Sequence, residues 1–167
     1  PVMSRGLGDV YKRQVYNHSD FGKSFKIVIT EEPDKEIKDK FFNDLSSIDK
    51  QLIEYYKSIN ASDEKYFNLY LEDNLIGYSR LIFQLEYAVL SEIYVLNDYR
   101  ELGLGTFMLN SIRSYLDELN IKLRTITLPS DRTAKNFYEA NGITARILLM
   151  EEKRDKTRYR SWWNYLC

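Results

Sequence analysis

Three apolar, β-prone runs lie back to back between Tyr66 and Leu96: YFNLYL at 66–71, LIGYSRLIF from Leu75, and YAVLSEIYVL at 87–96. Asp73-Asn74 is a turn signal between the first two, and a short turn near Gln84 precedes the third. Hairpin-linked runs of this kind predict antiparallel neighbours, and the rest of the chain must pack around them.

The flanking segments supply the layers. FKIVIT at 25–30 alternates around Phe25, Ile27 and Ile29 and reads as a strand. Ile37, Phe41, Leu45, Ile48, Leu52, Tyr55 and Ile59 then recur every three or four residues, the spacing of amphipathic helix. Ser46-Ser47 is the expected break between two helices, with one serine capping the second. Past Leu96 the stripe Leu104, Met108, Ile112, Tyr115 and Leu119 predicts a helix. LRTITL at 123–128 reads as a short strand. Thr133 to Ala140 reads as a short helix closed by Asn141-Gly142, and ITARILLM as a last strand. This order is neither a string of βαβ units nor all-β. It predicts a mixed α/β (α+β) fold whose central, mostly antiparallel sheet carries helices on its faces.

Composition excludes several classes. At 167 residues, 44% hydrophobic and 29% charged, the chain fits one globular domain with a core. A formal net charge of −1 argues against nucleic acid as a partner. There is neither an 18-residue apolar span nor a signal-peptide layout, so no membrane partner is expected. Cys167 is the one cysteine and His18 the one histidine, which leaves disulfide frameworks, histidine triads and His-rich metal sites without support; no metal is expected. A reducing, cytoplasmic setting fits this usage. PVMSRGLGDVYKRQ, residues 1–14, resembles adapter-derived peptide and is set aside as a non-native or disordered leader. The domain is expected over 20–156, followed by a basic-aromatic tail at 157–167. Fourteen tyrosines and eight phenylalanines are enough to furnish a groove or a homodimer face as well as a core.

RELGLG, residues 100–105, is the motif that bears on chemistry. A dinucleotide fingerprint needs a third glycine, where Met108 stands, and a P-loop needs a lysine before Thr106; both patterns fail. A glycine turn that opens a helix still gathers unpaired backbone N–H groups suited to a pyrophosphate. By itself the stretch reads either as such a cradle, with Arg100 adding charge, or as a tight strand–helix turn with Arg100 in a salt bridge.

YVLNDYRELGLGTFMLNSI resembles the acyl-CoA-binding segment of the GCN5-related N-acetyltransferase family, whose signature is Arg or Gln, two residues, Gly, one residue, Gly or Ala. Arg100, Gly103 and Gly105 match it, and DRTAKNFYEANGI at 131–143 is similar to a second family segment at the expected distance. The resemblance runs from about Phe25 to Met150. It implies an acyl-CoA N-acyltransferase-like fold in which the fourth and fifth strands of the family's sheet splay apart for the pantetheine arm of acetyl-CoA, the co-substrate. Ile93, Tyr94 and Val95 would offer backbone groups to pantetheine. The N–H groups of Glu101, Leu102, Gly103, Leu104, Gly105 and Thr106 would hold the pyrophosphate beside Arg100. A Cβ at position 103 or 105 would collide with phosphate or the nearby backbone, and Leu102 and Leu104 would pack inward. Tyr138 matches the tyrosine that protonates the departing thiolate, and Asn136 matches a position that can bond the cofactor. Asp131 and Ile143 depart from the family's usual Asn and aromatic residue.

An amine must be neutral to attack a thioester, which calls for a proton acceptor. Glu92 is the candidate; in an extended strand it shares a face with Tyr94, while Ser91, Ile93 and Val95 take the other. The expected function is acetyl transfer from acetyl-CoA to an amine of a small molecule or peptide by direct attack. The alternative is a non-catalytic acyl-CoA-binding regulatory module. Residues 31–50 hold seven acids against four bases, a slight pointer to a cationic acceptor.

Overall fold

The computed structural model describes residues 15–20, 22–48, 50–148 and 150. The expected leader and tail, at 1–14 and 157–167, lie outside the described residues. Six strands form one sheet in chain order. They are β1 (Val15–Asp20), β2 (Lys23–Thr30), β3 (Glu64–Leu71), β4 (Asn74–Phe83), β5 (Tyr87–Val95) and β6 (Lys122–Thr125). All neighbours are antiparallel except β5 and β6, which run parallel. Between β2 and β3 stand α1 (Lys35–Ile48) and α2 (Lys50–Ser58). Between β5 and β6 runs α3 (Leu104–Leu119), and α4 (Arg132–Ala140) follows β6.

The helices cover opposite faces of the sheet. On one face α3 lays Leu104, Met108, Leu109, Ile112 and Leu116 against Phe25, Ile27, Phe67, Leu69, Leu81 and Leu90. On the other, Ile37, Phe41 and Leu45 of α1 and Tyr56 of α2 meet Tyr66, Tyr78 and Tyr94. Each face buries a continuous apolar layer, the main favourable term in holding such a sandwich together.

One irregularity decides which face receives which side chain. Arg80 pairs with Glu92, but Leu81 pairs with Leu90, so Ser91 is an extra residue bulged out of β5. Its hydroxyl donates to the Arg80 carbonyl at 3.3 Å. Ala88 and Leu90 face α3 before the bulge, and Val95 does so after it. The side-chain phase has slipped by one. Glu92 and Tyr94 are thereby delivered to the α1 face; uninterrupted alternation would have put them beside Leu90.

The structure departs from sequence expectation in four places. β1 was not anticipated: VYNHSD is polar, but its alternation seats Tyr16 and His18 inward, and His18 stacks on Phe107 at 5.0 Å. Ser46 and Ser47 do not cap α2; they sit in the last turn of α1, their hydroxyls donating to the carbonyls of Asn43 and Asp44 at 2.6 Å. LRTITL is strand only as far as Thr125. Residues 143–148 and 150 are not strand, and Ile147, Leu148 and Met150 stand mostly exposed. An apolar run makes a strand only with a partner, and the four residues of β6 carry no further ladder among the described residues.

Candidate active site at the split between two strands

β5 and β6 pair only from Tyr87↔Lys122 to Leu90↔Thr125. Beyond that point residues 92–95 pair with β4 alone, while residues 126–128 leave the sheet. The Thr125 hydroxyl takes the Leu90 carbonyl at 3.0 Å and closes the apex of the split. The Thr127 hydroxyl is buried there without a partner among the described residues.

At the far end of β5 the chain makes a short 3₁₀ turn over Asn97–Tyr99 and enters the glycine loop. Glu101 and Gly103 both have positive φ, 66° and 71°. Two such residues in a short span turn successive N–H groups the same way, a local anion-binding geometry. The first bond of α3 runs from the Phe107 N–H to the Gly103 carbonyl. The N–H groups of Leu104, Gly105 and Thr106 precede that bond and so have no partner within the helix. The two glycines are required for different reasons. Gly103 needs its left-handed φ of 71°, and a Cβ there would meet nothing within 4 Å; Gly105 lies under Phe137, whose ring a Cβ would approach to 3.0 Å. Leu104 is buried as expected, but Leu102 is exposed, so only one of the two leucines packs inward.

Arg100 does not point freely at this cradle. Its Nε donates to the Val95 carbonyl at 2.9 Å, and its Nη2 to Asp44 Oδ2 at 3.2 Å. Ile93 is half-buried, while Tyr94 and Val95 are buried. Thr106 donates to the Asn141 amide oxygen at 3.1 Å, and Asn136 is exposed on α4.

Tyr138 lies on the buried side of α4, 4% exposed. Asp131 caps this helix by accepting from the Ala134 N–H at 3.0 Å, so aspartate serves there as asparagine would. Ile143 donates its N–H to the Tyr138 carbonyl and packs against the core. Burial pushes the Tyr138 hydroxyl up to about 12, the Thr125 hydroxyl pulling down and Asp131 pushing up. The phenol therefore keeps its proton at neutral pH and stands beside the apex of the split.

Glu92 is 1% exposed. Its Oε2 accepts from the Tyr78 hydroxyl at 2.6 Å and its Oε1 from Arg80 Nη1 at 3.1 Å, with Lys38 Nζ at 3.9 Å. Arg80 also holds Glu64 and donates to the Ile59 carbonyl. Burial and the Glu92 carboxylate together push the Tyr78 hydroxyl far up. The structure thus brings Glu92 and Tyr94 to one face and puts Tyr138 in the apolar layer of the other, while the glycine loop follows the C-terminal end of β5. Asp44, Arg80, Tyr78 and Lys38 were not legible as site residues, because their partners lie far away in sequence.

Four of the seven acids over 31–50 have a partner among the described residues. Asp34 caps α1 by accepting from the Ile37 N–H, Glu36 pairs with Lys40, Glu31 with Lys65, and Asp44 with Arg100. The open groove along α1, of roughly 490 Å³, is lined by Lys35, Lys38, Asp39, Phe42, Asn43 and Lys57. It carries three bases against one acid.

The parallel pair thus splits beside a helix N-terminus that opens on a glycine turn. Comparison with known proteins supplies the class. The model of the acetyltransferase (GNAT) family matches residues 30–143, and the chain belongs to that family. It is an N-acetyltransferase, a family that transfers acyl groups from acetyl-CoA to amines. No curated protein sequence matches it. Among solved structures, a Pyrococcus furiosus protein assigned as an acetyl transferase is 24% identical, with a TM-score of 0.62 over 77% of this chain and 99% of its own. An aminoglycoside acetyltransferase from an uncultured soil metagenomic sample is 18% identical, TM-score 0.59, over 78% and 95%. The aminoglycoside N-acetyltransferase AAC(6')-Iy, in complex with CoA, is 14% identical, TM-score 0.56, over 80% and 97%. At these identities the likeness is one of fold.

Proposed function

We propose that the chain acetylates an amine of a small molecule or peptide by direct attack on acetyl-CoA bound in the β5–β6 split. The observation that carries this reading is the split itself, with the first-turn N–H groups of α3 at one end and the protonated Tyr138 beside its apex. The Glu101–Thr106 N–H groups hold the pyrophosphate, and the backbone edge at Ile93–Val95 guides the pantetheine arm. The Val95 carbonyl already accepts from Arg100 Nε and has a second lone pair to offer. Asn136, exposed on α4, flanks the cofactor. The amine nitrogen bonds to the thioester carbonyl carbon, the carbon–sulfur bond breaks, and the thiolate takes the Tyr138 proton. The proton lost by the amine leaves towards Glu92. Both carboxylate oxygens are already bonded, so it travels by way of the Tyr78 hydroxyl and not by direct contact.

One observation favours a different part for Glu92. Both of its carboxylate oxygens are already held, by Tyr78 and Arg80, with Lys38 close by, which suits a structural anchor. Glu92→Gln separates the two: a relay loses turnover about 100-fold with acetyl-CoA affinity kept, whereas an anchor keeps turnover and loses stability. The acceptor is sought with an amine panel and detection of released thiol. The solved relatives that act on aminoglycosides support including those; the lysines along α1 support including amines that carry a carboxylate or phosphate. Binding of acetyl-CoA with no turnover across the panel points to the non-catalytic module.

A further inference from the structure

We propose that Asp44 is a positioning residue: from α1 it fixes the guanidinium of Arg100 beside the pyrophosphate loop and the phenol of Tyr94 on β5, joining α1 to the cofactor cradle. This proposal rests on the transferase reading of the preceding section. One carboxylate oxygen makes both contacts. Asp44 Oδ2 accepts from the Tyr94 hydroxyl at 2.8 Å and from Arg100 Nη2 at 3.2 Å. The guanidinium carbon of Arg100 also stands 5.5 Å from the centroid of the Tyr94 ring, and its Nε holds the Val95 carbonyl. Arg100 is thereby clamped on three sides by groups of α1 and β5 while its backbone opens the 101–106 loop.

The placement has a purpose that packing alone does not require. Asp44 and Arg100 are 37% and 47% exposed at their side chains, so water would serve either group without a partner. A long, half-exposed arginine loses rotamer freedom on binding an anion, and a carboxylate that already holds it removes part of that cost. Asp44 acts on acetyl-CoA through Arg100 and also holds Tyr94. The aspartate is 56 residues from the arginine in sequence, which is why the motif gave no sign of it.

A double-mutant cycle on acetyl-CoA affinity, read by isothermal titration, tests this. Asp44→Asn is expected to weaken binding roughly three- to fivefold, the size of a half-exposed ion pair. In an Arg100→Gln background the same change is expected to add nothing. Asp44→Glu, which keeps the charge, is expected to stay within about twofold of the unsubstituted protein. A second reading comes from tyrosinate absorbance: Asp44→Asn lowers the Tyr94 midpoint from its position near 12, where burial first and Asp44 second have pushed it. Additive losses, an unchanged affinity for Asp44→Asn, or an equal loss for Asp44→Glu overturn the proposal while the unsubstituted protein still binds. Absence of binding by the unsubstituted, folded protein contradicts the transferase reading, and the proposal falls with it.

Discussion

The two faces of the sheet are built on different chemistry. On the α3 face, fifteen buried hydrophobic residues include a single tyrosine, Tyr138, and the glycine turn that opens α3 offers only backbone groups. On the α1 and α2 face, four of seven buried members are tyrosines, and two of them, Tyr66 and Tyr78, donate to the Glu92–Arg80–Glu64 ion pairs. Backbone cradles need only a φ sign and an absent Cβ, so they tolerate almost any neighbouring side chains. A network of phenols and ions needs every partner present. The α3 face should therefore fail locally when altered and the α1–α2 face globally.

The largest expected effect tests that contrast directly. Glu92→Ala leaves Arg80 and Tyr78 buried without their shared partner, and should cost about 3–5 kcal/mol of stability, read as a fall in the urea midpoint. Tyr138→Phe, on the other face, removes one hydroxyl and no packing. It should lower turnover about 100-fold, near 2.7 kcal/mol, with acetyl-CoA affinity retained. If Tyr138→Phe unfolds the protein and Glu92→Ala does not, the contrast is reversed.

High pH separates the faces less sharply. The hydroxyls of Tyr94 and Tyr138 are both pushed up to about 12, by burial first. Between the ordinary tyrosine value of 10 and 12 the unfolded chain sheds protons that the folded chain keeps, so stability present below pH 10 is lost as pH rises. Urea midpoints measured from pH 9 to about 12 should fall across that window.

The smallest effects sharpen the account of the glycines. Gly103→Ala strains a left-handed residue by about 1–2 kcal/mol and should loosen the cradle, raising the acetyl-CoA dissociation constant. Gly105→Ala presses a methyl against the Phe137 ring at 3.0 Å. The cost should be below about 1.5 kcal/mol, because one aromatic side chain can yield, and it should appear in stability more than in affinity.

What could be read in advance follows the same division. The glycine loop was legible because its constraint is local: Gly103 and the start of α3 follow from neighbouring residues alone. The three hairpin strands were legible from alternation and turn residues. The bulge at Ser91 was not, since nothing in LSEIYV marks an extra residue, yet it leaves Glu92 and Tyr94 together as alternation expects while turning both away from Leu90. β1 escaped notice because Asn17, Ser19 and Asp20 make it polar, and only pairing with β2 turns it into a strand. ITARILLM misled in the opposite sense: apolar sequence without a partner edge is not a strand. Arg80, Asp44 and Lys38 gain meaning only from residues brought near by the fold.

The central claim is that the β5–β6 split and the 101–106 loop hold acetyl-CoA. Isothermal titration of the folded, unsubstituted protein with acetyl-CoA tests it most directly. Saturable binding at one site per chain is the predicted result, and the absence of any binding by protein shown to be folded would contradict it.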